Sequence, residues 1–190
     1  MPLLAEDVVP PGTLATMPQP ALPADGLTLR PWRAEDRPAV VAAYADPAIQ
    51  QWHCRTMNDD EAAAWLSAWP SRWRAESGAG WAVTDGEEVV GQVSLRTLDL
   101  PAGLAEVSYW VLPSRRGLRI APRALAALTA WSFGSLGLHR IELRHSVSNP
   151  NSCRVATLAG YAPEGVQRGG CMHPDGWHDM HLHARLDTDP

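Results

Sequence analysis

The sequence predicts an α+β domain, a mixed and mostly antiparallel sheet flanked by helices. Three observations predict it. Runs with apolar residues at alternate positions recur from Leu27 to Leu186, as half-buried strands require. Between them lie segments with apolar residues at helical spacing, opened by cap residues and closed by glycine. The succession of these elements suits one sheet with helices packed on it. At 190 residues the chain has the size of one domain and can bury a full core.

Residues 1–25 are rich in Pro and Ala (Pro10-Pro11-Gly12, Pro18, Pro20, Pro23). Repeated prolines oppose both helix and sheet ladders, so this stretch is expected to be a poorly ordered or extended leader. A single domain over 26–187 should follow. It opens with the strand Leu27-Thr28-Leu29-Arg30. Two helical segments come next. Asp36 to Ala45 is rich in Ala and Val and is expected to stop before Asp46-Pro47. The other starts at Asn58-Asp59-Asp60-Glu61, a cap residue followed three positions later by glutamate, with an acidic first turn suited to the helix dipole. Ala62, Trp65, Leu66 and Trp69 supply its apolar positions.

Strands are expected over Gly80–Thr84, Val89–Leu98 and Leu104–Leu112, the first two joined by the hairpin turn Asp85-Gly86. A long helix runs from about Arg119 to Leu136, with Gly134 and Gly137 at its end. In the strand Arg140–Val147, Ile141, Leu143, His145 and Val147 alternate with polar residues, which makes His145 a core histidine. Asn149-Pro150 opens the last helix with a cap residue and a first-turn proline. Gly160 closes it, Tyr161 begins a return strand, and the final strand spans about Trp177 to Leu186.

Composition excludes several function classes. The net charge is −5 with no basic run, which argues against nucleic acid as the main partner. No apolar run reaches the length of a membrane span, and the N-terminus lacks a secretory pattern. Three widely spaced cysteines, Cys54, Cys153 and Cys171, with no Cys-x-x-Cys pair, argue against a disulfide framework or a structural zinc site and fit a reducing cytoplasm. His178, His181 and His183 with Cys171 are the histidine-rich candidates for a metal; His178 points to the opposite sheet face from the other two, and no metal is expected. Cys153 reads as a small buried residue. Nine tryptophans are core or interface material, some of them candidates for an apolar pocket wall.

The segment most informative for chemistry is Val111-Leu112-Pro113-Ser114-Arg115-Arg116-Gly117-Leu118-Arg119-Ile120-Ala121. A strand ends, a turn with Arg and Gly follows, and a helix starts at once. Backbone N–H groups at such a junction lack partners and the helix dipole adds positive potential, so a diphosphate is the natural ligand. An ordinary strand-to-helix turn with solvated arginines has the same composition.

This stretch resembles the acyl-CoA pyrophosphate loop of the GNAT superfamily of N-acyltransferases, whose pattern is Arg/Gln-x-x-Gly-x-Gly/Ala. Arg116, Gly117, Leu118, Ile120 and Ala121 fit, while Arg119 stands where the family has its central glycine. Downstream, Gly137 to Arg144, Asn149-x-x-Ser152, Gly160-Tyr161, Glu164-Gly165 and Asp175 to Asp179 follow in the order of the Rim-type branch, the ribosomal-protein N-terminal acetyltransferases and their small-molecule relatives. The resemblance covers about residues 27–186. It implies the GNAT fold, acetyl-CoA as co-substrate, direct transfer to a primary amine, and homodimers as a common assembly.

The resemblance also implies roles. Trp110, Val111 and Leu112 would flank the pantetheine arm, and the amides from Gly117 to Ala121 would hold the diphosphate. Asn149 would hydrogen-bond the pantetheine. Ala156 stands where many members have the tyrosine that protonates the leaving thiolate; Rim-type relatives place a serine near the thiolate at the position of Ser152, which would take that role. Cys171 stands near the place of a hairpin glutamate, which leaves His173, Glu106 and Glu142 as candidate bases; each also reads as an ordinary structural residue. Trp32, Trp52, Trp65, Trp69 and Trp73 come from segments that wall the acceptor site. The alternative is a non-catalytic acyl-CoA-binding or sensor module on the same fold, favoured by Arg119, Ala156 and the missing glutamate.

Overall fold

The computed structural model describes residues 6–190. Its eight strands are β1 (Leu22–Ala24), β2 (Leu27–Pro31), β3 (Ala79–Asp85), β4 (Glu88–Asp99), β5 (Leu104–Val111), β6 (Arg140–Ser146), β7 (Ala162–His173) and β8 (Gly176–Leu186). They form one sheet in the order β1-β2-β3-β4-β5-β6-β8-β7. Every neighbouring pair is antiparallel except β5 and β6. The parallel pair needs a crossover, which α4 (Ile120–Trp131) supplies.

The other helices are α1 (Arg37–Tyr44), α2 (Pro47–His53), α3 (Asp59–Arg74) and α5 (Pro150–Leu158). Alternation along β5 divides the core. Ala105 and Val107 face the larger apolar cluster, which holds Leu125 and Leu128 of α4 and Ala156 of α5. Trp110 faces the smaller one, built from Val40, Tyr44, Ile49 and Leu66 of α1 to α3. Helices therefore cover both faces, as an apolar sheet in water demands.

Two expectations change. Asp46-Pro47 starts a helix as well as ending one. The Asp46 carboxylate accepts from the Ile49 amide at 3.0 Å and Pro47 occupies the first turn, so the pair caps α2.

The proline-rich stretch is not loose over its described part. Val9 and Leu14 are buried in the larger cluster. The Trp73 and Trp81 indoles donate to the carbonyls of Met17 (2.9 Å) and Pro20 (2.8 Å). The Glu76 carboxylate accepts from the Gly12 and Leu14 amides, and β1 pairs with β2 despite Pro23. Proline forbids a ladder only where its missing N–H is needed, and β1 is an edge strand. Residues 1–5 of that segment lie outside the described residues.

Candidate active site

β5 and β6 pair only from Leu104↔Arg140 to Val107↔Leu143. Beyond that β5 stays bonded to β4 as far as Val111, and β6 stays bonded to β8 as far as Ser146. The stretch from Ser108 to Val111 therefore has one edge without a strand partner, and the sheet opens there. His53, the last residue of α2, reaches this edge and donates from Nε2 to the Tyr109 carbonyl at 3.1 Å. Burial pushes the His53 pKa down to about 4, so its ring is neutral at pH 7 with a lone pair on Nδ1.

At the end of β5 the chain makes a 3₁₀ turn over Pro113–Arg115 and enters α4 through Arg116 to Arg119. The amides from Gly117 to Ala121 donate no hydrogen bond within the described chain. Pro122, third in the helix, has no N–H to offer. These amides converge at a helix N-terminus, a site prepared for an anion. Gly117 and Arg119 both have left-handed backbone, at φ 82° and φ 56°. The position at which the family pattern has glycine thus uses a conformation glycine favours, and Arg119 adopts it at a cost. Arg116 is tied down: its guanidinium pairs with Asp46 at 2.6 Å and holds that carboxyl below its usual range. Arg115 pairs with Glu88.

Across the opening stands the start of α5. Asn149 caps it, its side-chain oxygen accepting from the Ser152 amide at 3.1 Å. Ser152 Oγ lies 2.8 Å from the Tyr109 hydroxyl, a bond joining α5 to β5 across the gap. Burial pushes the Tyr109 pKa up to about 12, so the phenol keeps its proton at neutral pH.

The candidate bases are elsewhere. Glu106 shares the face of Trp110, toward α1 to α3, and pairs with Arg96 at 2.9 Å. Glu142 bonds Arg140 at 3.0 Å. His173, on β7, is buried against α2: its Nδ1 donates to the Gln51 carbonyl at 2.9 Å, and its ring lies 4.4 Å from that of His178. Among the described residues no hydrogen bond links Glu106 or His173 to Ser152. Of the tryptophans, Trp32, Trp65 and Trp69 form one aromatic cluster with Trp110 and Tyr44. Trp52 meets His173 and His178. Trp73 belongs with Trp81 and Trp131 instead, in the larger apolar cluster, so it does not face the same side.

The structure thus brings Ser152 and the capping Asn149 to the unpaired edge of β5 at Tyr109, and the chain from Trp110 to Leu112 leads on to the bare amides of Gly117 to Ala121. A parallel strand pair that splays beside a bare helix N-terminus is the decisive arrangement, and the family profile for an acetyltransferase (GNAT) domain matches residues 26–162. This chain belongs to the GNAT acetyltransferase family.

Rim-type proteins are among the relatives of this GNAT domain. The ribosomal-protein-serine acetyltransferase of Escherichia coli (strain K12) is 31% identical over 100 residues, 53% of this chain and 56% of that protein. The match therefore spans about half the length of that relative. Mycobacterium smegmatis RimJ in complex with CoA-disulfide is 28% identical with a TM-score of 0.78, covering 88% of this chain and 86% of that one. The ribosomal L7/L12 α-N-protein acetyltransferase RimL in complex with coenzyme A has a TM-score of 0.80 at 21% identity, over 90% of this chain and 100% of that one. At that identity the second structure speaks for the fold alone.

Sequence reasoning missed Tyr109 and His53. Strand alternation places Tyr109 opposite in facing to Trp110, a usable signal for the first. For His53 there was none, because the helix that carries it was not anticipated. No helix of the described GNAT domain is long and apolar enough to cross a membrane.

Proposed function

We propose that this GNAT domain transfers an acetyl group from acetyl-CoA to a primary amine by direct attack in a ternary complex. The observation that carries the reading is the set of unbonded amides from Gly117 to Ala121, which follows the stretch of β5 that has lost its pairing with β6. An extended thioester with a diphosphate near one end matches a gap with an anion site at its edge. Trp110 to Leu112 would flank the arm, and Asn149 would bond it through the amide nitrogen that capping leaves free.

In the reaction the amine nitrogen bonds to the thioester carbonyl carbon and the C–S bond breaks. The departing thiolate takes the Ser152 hydroxyl proton, and Tyr109, protonated at working pH, donates to Ser152 in turn. Tyr109 is a positioning and relay residue in this scheme. Glu106 is the base we favour over His173, because it lies on β5 two residues before the unpaired edge begins at Ser108, whereas His173 is held on β7 against α2 by the Gln51 carbonyl. The relatives named for ribosomal proteins point to a protein N-terminal amine as the acceptor class. We place the reaction in the cytoplasm, and a homodimer is the assembly the family favours.

A competing reading, a CoA-binding module without turnover, is favoured by Arg119 and Ala156 at their two positions and by the engagement of Glu106 with Arg96. One experiment separates them: thiol release from acetyl-CoA over a panel of N-terminal peptides and small amines, beside calorimetric titration with CoA. Release with at least one amine is expected. Binding without release from any amine would establish the module instead, and absence of both would remove CoA from the account. If CoA binds, a concentration of 100 Kd should add about 2.7 kcal/mol of stability.

A further inference from the structure

Four side chains that the transfer chemistry leaves unused meet on the α5 side of the sheet. His145 comes from β6, Cys153 from α5, and His181 and His183 from β8. Register sets His145 opposite His181 and Leu143 opposite His183, so the three imidazoles share one face. The donor atoms of the four side chains all lie within 4.8 Å of one another. Cys153 Sγ is 3.8 Å from His183 Nε2 and 4.0 Å from His181 Nδ1. The His145 ring lies 5.4 Å from that of His181 and 5.2 Å from that of His183.

Bonds outside the cluster determine which nitrogens face inward. His145 Nδ1 is 2.8 Å from the Ser146 carbonyl, and His183 Nδ1 is 3.2 Å from the Tyr161 carbonyl. A carbonyl only accepts, so each Nδ1 carries the proton and each Nε2 presents a lone pair. His145 is 5% exposed and His183 1%. The His145 Nε2 is buried without a hydrogen-bond partner. The Cys153 thiol has one proton and satisfies one acceptor at most. Histidines serving as core filler would not leave a buried acceptor bare, since that is costly. A cation answers every lone pair at once.

We propose that His145, Cys153, His181 and His183 form a tetrahedral site for a zinc-type divalent metal ion. Three imidazoles and a thiolate are a donor set that suits Zn²⁺, and the carbonyl-anchored Nδ1–H groups are the outer bonds that orient such ligands. Tetrahedral zinc has ligand-to-ligand edges of roughly 3.3–3.6 Å, from its usual bond lengths. The Cys153 contacts at 3.8 and 4.0 Å need to close by about half an ångström, and the widest donor pairs, at up to 4.8 Å, by about 1.5 Å at most. Cys153 binds as thiolate, and its proton passes to solvent. With all four positions taken by protein the site is closed, so its role is structural: it clips α5 to β6 and β8, and acetyl transfer needs no metal from it. His178 and Cys171, grouped with these histidines in the sequence, take no part. His178 bonds Ser146 Oγ at 2.7 Å and Asp175 at 3.0 Å, and Cys171 Sγ is directed to the Met172 carbonyl at 3.7 Å.

The test uses tag-free full-length protein treated with chelator, then titrated with Zn²⁺ in a calorimeter and with Co²⁺ in a spectrophotometer. One equivalent of Zn²⁺ is expected. Co²⁺ should give the strong visible bands of a tetrahedral site and a thiolate charge-transfer band in the near ultraviolet. His183→Ala removes a fully buried ring and risks the fold, so Cys153→Ser, on the partly exposed helix, is the second variant. It should abolish the charge-transfer band and weaken Zn²⁺ binding more than about tenfold, since even outer-bond changes cost that much. Cys54→Ser is the control, because Cys54 Sγ lies near His173, 3.4 Å from its Nδ1, and outside the four-residue cluster. Substoichiometric Zn²⁺ binding by the parent would overturn the proposal. So would a charge-transfer band that survives Cys153→Ser and disappears in Cys54→Ser.

Discussion

Arg119 holds a left-handed backbone at φ 56° and ψ 25° as the residue before α4. A side chain there costs on the order of 1 kcal/mol, which glycine would not incur. Arg119→Gly is accordingly expected to raise stability by roughly 1 kcal/mol in urea denaturation and to leave CoA affinity within about threefold. Gly117 has φ 82° with open space around an added Cβ, so strain rather than collision opposes a side chain there. Gly117→Val should weaken CoA about tenfold or more by turning the amides away; unchanged affinity in titration would disprove the loop's role. Ser152→Ala should lower kcat while KM stays within about twofold, and Tyr109→Phe should reproduce part of that loss because it removes the hydroxyl behind Ser152. The loop and Ser152 were readable because they lie in contiguous motifs. Partners contributed by distant segments, such as Asp46 for Arg116, leave no local trace.

Alternation and caps sufficed for the strands from Ala79 to Asp99, for β6 and for α5, whose apolar period and turn residues agree. α2 was lost because Asp-Pro is equally a stop for one helix and a cap for the next, and only packing of Ile49 into the smaller core resolves the ambiguity. Asp46 therefore has two duties, capping α2 and holding Arg116. Asp46→Ala should cost roughly 1–2 kcal/mol, and Asp46→Asn, which keeps the cap, clearly less. At the other end of α2, His53 has a folded pKa of about 4 against an ordinary value of 6.5. Between those values the unfolded chain binds the proton and the folded one does not, so stability is complete above about pH 6.5 and declines as pH falls toward 4. His53→Gln, which retains an N–H for the Tyr109 carbonyl, should flatten that part of the stability–pH curve relative to the parent.

At the scale of the molecule, the proline-rich segment acts as a strap. Its amides and carbonyls engage Glu76, Trp73 and Trp81, and Val8 and Val9 bond the Leu100–Pro101 turn. Composition suggested looseness because proline counts say nothing of what the intervening Val9 and Leu14 will bury. Leu14→Ala should cost roughly 2–5 kcal/mol, as for any fully buried leucine, and calorimetric unfolding measures it. Strands β1 to β5 form one slab and β6 to β8 another. The seam between them is four register pairs long, from Leu104↔Arg140 to Val107↔Leu143. A molecule lodged in the cleft above that seam would work as mortar between two blocks. Its departure should loosen the amides of both blocks nearest the joint, while the far edges of the sheet exchange their protons at the same pace as before.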